Sequence, residues 1–174
     1  MTHKILLDQN YLRKILDYDP NTGQFTRLVR KGGAKIGNKA GILSHGYLRI
    51  KINKKRYAAH RLAWLYVYGV WPTNHIDHID GDKINNRINN LRDVNHATNM
   101  QNQHSAQSGN KSGFLGVSKN SSSNNFSARI NVNGKRIQIG TYPTPEDAYS
   151  AYLSAKLKYH VGYNGDTSVS GIKE

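Results

Sequence analysis

The sequence predicts an α+β protein made of two modules, and three observations lead to that prediction. Residues 74–103 place short apolar segments between turn-forming Asn, Asp and Gly, in the order of a hairpin followed by a helix. Residues 112–163 carry three strand-like segments and then one helix-like segment. The stretch between them contains no large apolar residue, which is typical of a linker. We therefore expect a first module over 1–100, a linker over 101–111, a second module over 112–163 and a tail over 164–174.

The composition indicates which class of molecule the protein binds. The 174 residues carry a net charge of +14 and a pI near 10.0, which favours a polyanion, most simply nucleic acid, over an anionic membrane or an acidic protein. No apolar run approaches the length of about 18 residues that a membrane span needs. There is no cysteine, which excludes disulfides and Cys-ligated zinc. The first residues lack a signal-peptide core, and we expect a cytoplasmic protein.

The first 70 residues predict a basic region built on a hairpin. Helical spacing predicts a short helix over 9–17, followed by a turn and a strand over 24–29. Between Arg27 and Arg61 stand eleven basic residues and no acidic one. Residues 47–52 alternate apolar and cationic side chains and return over 56–59, so one face of this hairpin is cationic. We expect this region to contact DNA phosphates through Arg49, Lys51, Lys54, Lys55, Arg56 and Arg61.

A carboxylate, an imidazole and an amide in residues 74–103 suit one chemistry. We expect Asp77 and His78 to end a short strand, and Asn99 to lie one turn inside the following helix. Carboxylate and amide oxygens are hard ligands that favour Mg²⁺ or Mn²⁺ over zinc. An imidazole accepts a proton near neutral pH, so His78 is a candidate general base.

This span resembles the HNH nucleases, also called ββα-metal nucleases, and specifically those of phage and intron homing endonucleases. The resemblance rests on D-H-I-D-G-D at 77–82, N-L-R at 90–92 and the later Asn99. It implies that His78 is the general base, that Asp77 and Asn99 hold one divalent metal ion, and that Asn90 braces the loop. Asn86 and Asn89 compete with Asn90 for the role of brace.

The second module predicts a small sheet packed on one helix. Strands are predicted over 114–117, 126–132 and 135–140, the last two joined by Asn133-Gly134, a strong hairpin signal. Thr144 and Pro145 then predict the start of a helix. The module resembles the plant Apetala/ethylene-response-factor DNA-binding domain. That resemblance implies base contacts from the polar face of the sheet, at Ser118, Asn120, Arg129, Asn131, Arg136 and Gln138. A module that serves only as a spacer is the alternative.

Taken together, these patterns predict a site-directed, metal-dependent DNA endonuclease of the phage or intron homing type. We expect double-stranded DNA as the partner, no obligate protein partner, and a monomer. The alternatives are a catalytically silent DNA-binding regulator, a nuclease directed at RNA, and a phage or host-defence nuclease with the same chemistry. The last of these shares every residue, so the sequence does not distinguish it from a homing enzyme.

Overall fold

The computed structural model of the protein describes residues 7–103, 106, 109–160 and 163. The chain divides into two compact units between His96 and Ala97. Both units mix helices with antiparallel strands, in agreement with the predicted α+β class. Within the described residues, no helix is both long and apolar enough to cross a bilayer.

The first unit begins with one helix and a two-stranded hairpin. Helix α1 (Gln9–Ile15) is capped by the Asp8 carboxylate and ends where the backbone becomes extended. Strands β1 (Leu16–Asp19) and β2 (Gln24–Arg27) then pair antiparallel. The predicted helix over 9–17 was therefore two residues too long. The side chains of β1 alternate between buried and exposed, and this pattern places Leu16 and Tyr18 in the core.

A three-stranded sheet and a helix follow. Strands β3 (Ile42–Ser44), β4 (Tyr47–Ile52) and β5 (Lys55–Ala58) form a meander, of which β3 was not predicted. Helix α2 (Ala59–Tyr68) ends at Gly69, whose φ of 77° is the left-handed conformation that glycine adopts without strain. These elements enclose one hydrophobic core, which includes Leu12, Phe25, Ile50, Ile52, Leu62, Leu65, Ile76 and Leu91.

The predicted hairpin and helix are both present. Strand β6 (His75–His78) pairs antiparallel with β7 (Leu91–Val94), and a 3-10 turn over Ile88–Asn90 leads into β7. Helix α3 (His96–Gln101) comes next. The boundary between the two units falls at the first turn of α3.

The second unit is a three-stranded sheet with one long helix. Its strands are β8 (Val117–Lys119), β9 (Phe126–Val132) and β10 (Lys135–Tyr142), in the order β10-β9-β8. Helix α4 (Pro145–Tyr159) is capped by Thr144, as predicted. The first strand begins at the end of the predicted segment 114–117 and continues beyond it.

Small residues let α4 pack on one face of this sheet. Ala128, Ile130 and Tyr152 are buried together in a core of their own. Ile137 on β10 lies opposite the buried Ile130 in the register, yet it is 42% exposed. The register of β10 on β9 shifts only further along the strand, between Gln138 and Gly140.

Part of the predicted linker is packed rather than exposed. Asn102 is 3% exposed. The carbonyl oxygen of Gln103 accepts a hydrogen bond from Nζ of Lys156, a buried lysine on α4. The predicted tail over 164–174 lies outside the described residues.

Candidate active site

Strand β6 of the β6–β7 hairpin carries the first pair of predicted residues, Asp77 and His78. Asp77 lies opposite Arg92 in the register, and His78 lies opposite Leu91. Asp77 is 7% exposed and His78 is 5% exposed. Burying a carboxylate is costly unless it is paired. Arg92 meets this requirement by donating from Nε and NH2 to Oδ2 of Asp77, at 2.9 and 2.7 Å.

One buried amide contacts the His78 ring. Nε2 of His78 lies 3.3 Å from Oδ1 of Asn86, and Nδ2 of Asn86 donates to the carbonyl oxygen of Ile84 at 3.1 Å. Because an amide oxygen only accepts, the hydrogen bond requires the His78 proton on Nε2. In this tautomer the lone pair of the neutral ring is on Nδ1, and a general base accepts a proton through such a lone pair.

The surroundings of His78 keep it neutral. Burial lowers the pKa of His78 below its ordinary value. The contact with Asn86 and the carboxylates of Asp80, Asp77 and Asp82 oppose this shift, but burial is the stronger influence. A neutral imidazole at neutral pH is able to take a proton, whereas an imidazolium is not.

Asn90 fastens the two ends of the loop between β6 and β7. Its Oδ1 accepts from the backbone N–H of Asp80 at 3.1 Å. Its Nδ2 donates to Oδ1 of Asp80 and to the carbonyl oxygen of Asn85, both at 2.9 Å. Partial burial acts to raise the pKa of Asp80, but the hydrogen bonds that its carboxylate accepts from Asn90, Asn85 and the backbone N–H of Asp82 lower it below its ordinary value. Among the three candidates for the brace, Asn90 closes the loop, Asn86 contacts His78, and the Asn89 side chain is exposed.

Two further rings lie against His78. The ring of His60 on α2 is 5.1 Å from that of His78, centroid to centroid, at 87°. Tyr47 on β4 is 5.4 Å from His60 and 6.3 Å from His78. Burial is the main cause that lowers the pKa of His60 to about 3, followed by repulsion from His78 whenever that ring is protonated and from the charges of Arg61 and Arg49. His60 is therefore neutral at physiological pH.

The β3–β5 sheet has one cationic face, on which Tyr47 also lies. Lys51 pairs directly with Arg56, and Arg49 pairs with Ala58, so the charged side chains share a face with Tyr47. Arg49, Lys51 and Arg56 line a groove that Ile42, Leu43 and Ser44 complete. Lys54 and Lys55 are exposed at the β4–β5 turn. Four of the predicted phosphate-binding residues of this hairpin, Lys51, Lys54, Lys55 and Arg56, are thus exposed, whereas Arg49 is half-buried.

Arg61 has a structural role that the sequence did not predict. Its guanidinium donates to the carbonyl oxygens of Asn74 at 3.1 Å and Pro72 at 3.3 Å, and it lies 6.0 Å from the ring centroid of Trp71. These bonds hold the segment that leads into β6. The predicted phosphate contact would have to use donors that these two bonds leave over.

Asn99, the other expected metal ligand, lies on α3 and is partly exposed. Asn99 belongs to the second unit, which begins at Ala97, whereas Asp77 belongs to the first unit. No group of three or more His, Cys, Asp or Glu among the described residues is arranged to hold a metal ion. A site made of one carboxylate and one amide contains only one residue of these four types, so it would not form such a group. The buried carboxylate of Asp77 is a ligand that fits a hard divalent cation.

Comparison with known proteins identifies one domain. Residues 57–101 match the family model of HNH endonucleases. The match runs from β5 through α3 and supports an HNH nuclease, whose substrate is nucleic acid. HNH nucleases generally use a divalent metal. The chain matches none of the curated proteins and none of the solved structures significantly.

The polar face of the second sheet is open to solvent. Arg129, Asn131, Arg136 and Gln138 are all exposed, and the register pairs Arg136 with Asn131 and Gln138 with Arg129. The two remaining predicted contacts are less exposed. Ser118 is half-buried, and Oδ1 of Asn120 accepts a 2.6 Å hydrogen bond from Oγ of Ser127.

Sequence reasoning missed Tyr47 and Asp80 and left Asn86 as an alternative. Asp80 stands two residues after His78, where its carboxylate receives three of the loop's hydrogen bonds, from Asn90, Asn85 and the backbone of Asp82. The abundance of Asx residues in 77–90 was the available signal, because such side chains commonly bond to nearby backbone in turns. The proximity of Tyr47 depends on the tertiary fold and has no local signal.

Proposed function

We propose that the protein is a divalent-metal-dependent DNA endonuclease in which His78 is the general base. The observation that carries the proposal is the His78 ring itself: it is buried, neutral and held at Nε2 by Asn86, within the region that matches HNH endonucleases. His78 would take a proton from the attacking water at Nδ1, while Asn90 keeps the loop closed around it.

Asp77 and Asn99 would hold the metal ion. Both supply oxygen, and Arg92 fixes the rotamer of Asp77 through two charge-assisted hydrogen bonds. When bound, a divalent ion polarises a phosphodiester and stabilises the leaving oxygen. With Asn99 in the last motif position, we expect Mg²⁺ or Mn²⁺ rather than zinc.

DNA would be bound by two surfaces of different character. The exposed cations of the β3–β5 sheet supply affinity through phosphates, without sequence preference. The polar face of β9–β10 supplies base contacts, since Arg pairs with guanine edges, and Asn or Gln with adenine edges. A nuclease with a separate recognition surface would be site-directed, and from the resemblance of its motif we propose an enzyme of the phage or intron homing type that acts as a monomer. One motif gives one cleavage centre per chain.

The decisive experiment offers supercoiled plasmid, linear duplex DNA and duplex RNA of the same sequence to the full chain. We expect cleavage of DNA with Mg²⁺ or Mn²⁺, none with excess chelator, and products with 5′-phosphates and 3′-hydroxyls. Equal cleavage of the RNA would replace the DNA assignment with a nuclease directed at RNA. Binding to DNA without cleavage under any metal would favour the silent regulator.

A further inference from the structure

The β1–β2 hairpin is hydrogen-bonded to the loop that follows His78. The hairpin itself lies outside the region matched to HNH endonucleases. The hydroxyl of Tyr18 on β1 donates to the carbonyl oxygen of Asn86 at 2.7 Å, and this contact is buried. Tyr18 is 4% exposed and packs against the rings of Phe25 and Tyr66, with centroids at 4.7 and 5.6 Å. The bond therefore ties the backbone of Asn86 to the hydrophobic core.

The turn between β1 and β2 makes two further bonds to the same loop. Nε of Arg87 donates to the carbonyl oxygen of Asn21 at 2.6 Å. The backbone N–H of Ile88 donates to the carbonyl oxygen of Pro20 at 3.3 Å. Three consecutive loop residues are thus bonded to the hairpin, each to a different residue.

Gly23 shows how closely the two segments approach. A β-carbon at this position would lie 2.5 Å from both the backbone nitrogen of Arg87 and the carbonyl carbon of Asn86. These are backbone atoms, so no side-chain rotation relieves the overlap. The φ of Gly23 is +72°, which also favours glycine. Any other residue would push the loop away from the hairpin.

Asn86, which is bonded to Tyr18, also contacts the proposed base. Asn86 is 1% exposed, and its Oδ1 faces Nε2 of His78. Within the loop, Asn86 bonds to Ile84 through both its backbone and its side chain, but Ile84 is 56% exposed and gives no anchor to the core. The anchor to the core is Tyr18.

We propose that the β1–β2 hairpin is a positioning element for the general base. By fixing Asn86 through Tyr18, and by approaching the loop closely at Gly23, it holds the His78 ring in its productive orientation. This inference rests on the proposed function of His78 as the base. It adds Tyr18, Gly23 and Asn86 to the residues on which the reaction depends, without contact between Tyr18 or Gly23 and the substrate.

The first test displaces the loop. Gly23→Ala should lower the single-turnover rate of plasmid cleavage by roughly 10²-fold, the usual cost of a small misplacement of catalytic groups, while the Kd for a fluorescent duplex stays unchanged. Gly113→Ala is the matched control, because Gly113 also has a positive φ of 76° but an added β-carbon would meet nothing within 4 Å. Equal effects of the two variants on cleavage, or parallel losses of cleavage and affinity for Gly23→Ala, would overturn the proposal.

A milder pair of variants covers the case in which Gly23→Ala does not fold. Tyr18→Phe keeps the packed ring and removes only the hydroxyl donor, so we expect about a 5- to 10-fold slower cleavage step, the equivalent of one hydrogen bond. In an Asn86→Ala background the same change should have little further effect, because the path to His78 is already broken. Effects that multiply independently would show that Tyr18 does not act through Asn86.

A measurement without DNA separates this inference from the proposed function. In protein labelled with ¹⁵N at histidine, the ring signals of His78 should shift or double in Tyr18→Phe and Gly23→Ala, and should match the wild type in Gly113→Ala. Unchanged signals in an active nuclease would refute the positioning role. Altered signals in a protein that cleaves no nucleic acid would refute the nuclease proposal and leave the coupling between hairpin and ring in place.

Discussion

In the first unit, Asp77, His78, Asn86 and Asn90 on the β6–β7 hairpin and its loop are buried and hydrogen-bonded; in the second, Arg129, Asn131, Arg136 and Gln138 on β9 and β10 are exposed to solvent. Asp77, His78 and Asn86 are all less than one-tenth exposed, and each has a hydrogen-bond partner at a defined atom. Arg129 and Arg136, by contrast, are on an open surface.

The difference fits two kinds of task. Chemistry requires groups held in one geometry before the substrate arrives, because reorganisation during the reaction raises the barrier. Reading a base edge requires donors that adjust to the groove, and exposed arginines retain that freedom. The first unit therefore has the features of a site for reaction, and the second has those of a surface for recognition.

After the loss of His78 itself, the largest effect should come from opening the loop. Asn90→Ala removes three hydrogen bonds that close the segment between β6 and β7. We expect cleavage to fall by about 10²-fold, since His78 loses its fixed position. The control is Asn89→Ala at the neighbouring exposed position, which should retain wild-type activity. If Asn89→Ala is as damaging as Asn90→Ala, the brace has been misassigned.

The second effect concerns recognition by the exposed face. Arg129→Ala and Arg136→Ala should each reduce discrimination between target and scrambled duplexes by about 1–3 kcal/mol if the side chain makes a bidentate base contact. The cleavage step on bound DNA should not change, because neither residue belongs to the hairpin of His78. A slower cleavage step with unchanged discrimination would reverse the assignment of tasks.

The third effect is on stability and follows from His60. Its pKa is about 3 in the folded protein, against an ordinary value of 6.5, so below pH 6.5 the unfolded chain takes up a proton that the folded chain refuses. The stability that the neutral His60 contributes is complete above about pH 6.5. It is lost as the pH falls toward 3, the pKa of His60 in the folded protein.

Urea unfolding at pH 7 and pH 4.5 tests this contribution. The free energy of unfolding of the wild type should fall more between these two pH values than that of His60→Gln, which cannot titrate. His75→Gln, at an exposed histidine, is the control and should behave as the wild type. Identical pH dependence in all three proteins would contradict a buried, neutral His60.

The smallest effect per residue should come from the phosphate-binding turn. Neutralising Lys54, Lys55 and Arg56 to Gln should weaken binding to target and scrambled duplexes alike. It should also flatten the salt dependence, by a slope of about 1 for each phosphate that the protein no longer neutralises. Titration of both duplexes across a salt series measures both changes. A selective loss of affinity for the target duplex would mean that this turn reads sequence.

How much of this was predictable follows from where each interaction lies in the chain. The strand of Asp77 and His78 and its return strand could be predicted because turn residues and apolar pairs stand within 20 residues of each other. The cap at Thr144 and the turn at Asn133 are local in the same way.

The rest depends on interactions between distant segments. Nothing near Tyr18 in the sequence indicates that its hydroxyl meets Asn86, which lies 68 residues further along the chain. Arg61 was expected to contact phosphate, and only the fold shows that its guanidinium bonds to Asn74 and Pro72. Ile137 is opposite the buried Ile130 yet is 42% exposed, because alternation along one strand does not show which part of a sheet face another element covers.

The measurement that tests the central claim most directly is the single-turnover cleavage of supercoiled plasmid by His78→Ala, with the Kd for DNA determined on the same preparation. A lost general base typically costs about 10²–10⁴-fold in rate, and the basic surfaces of both units are untouched, so we predict a loss of that size at unchanged affinity. Cleavage at the wild-type rate would show that His78 is not the base. It would also contradict the proposal that the first unit carries out catalysis while the second unit recognises DNA.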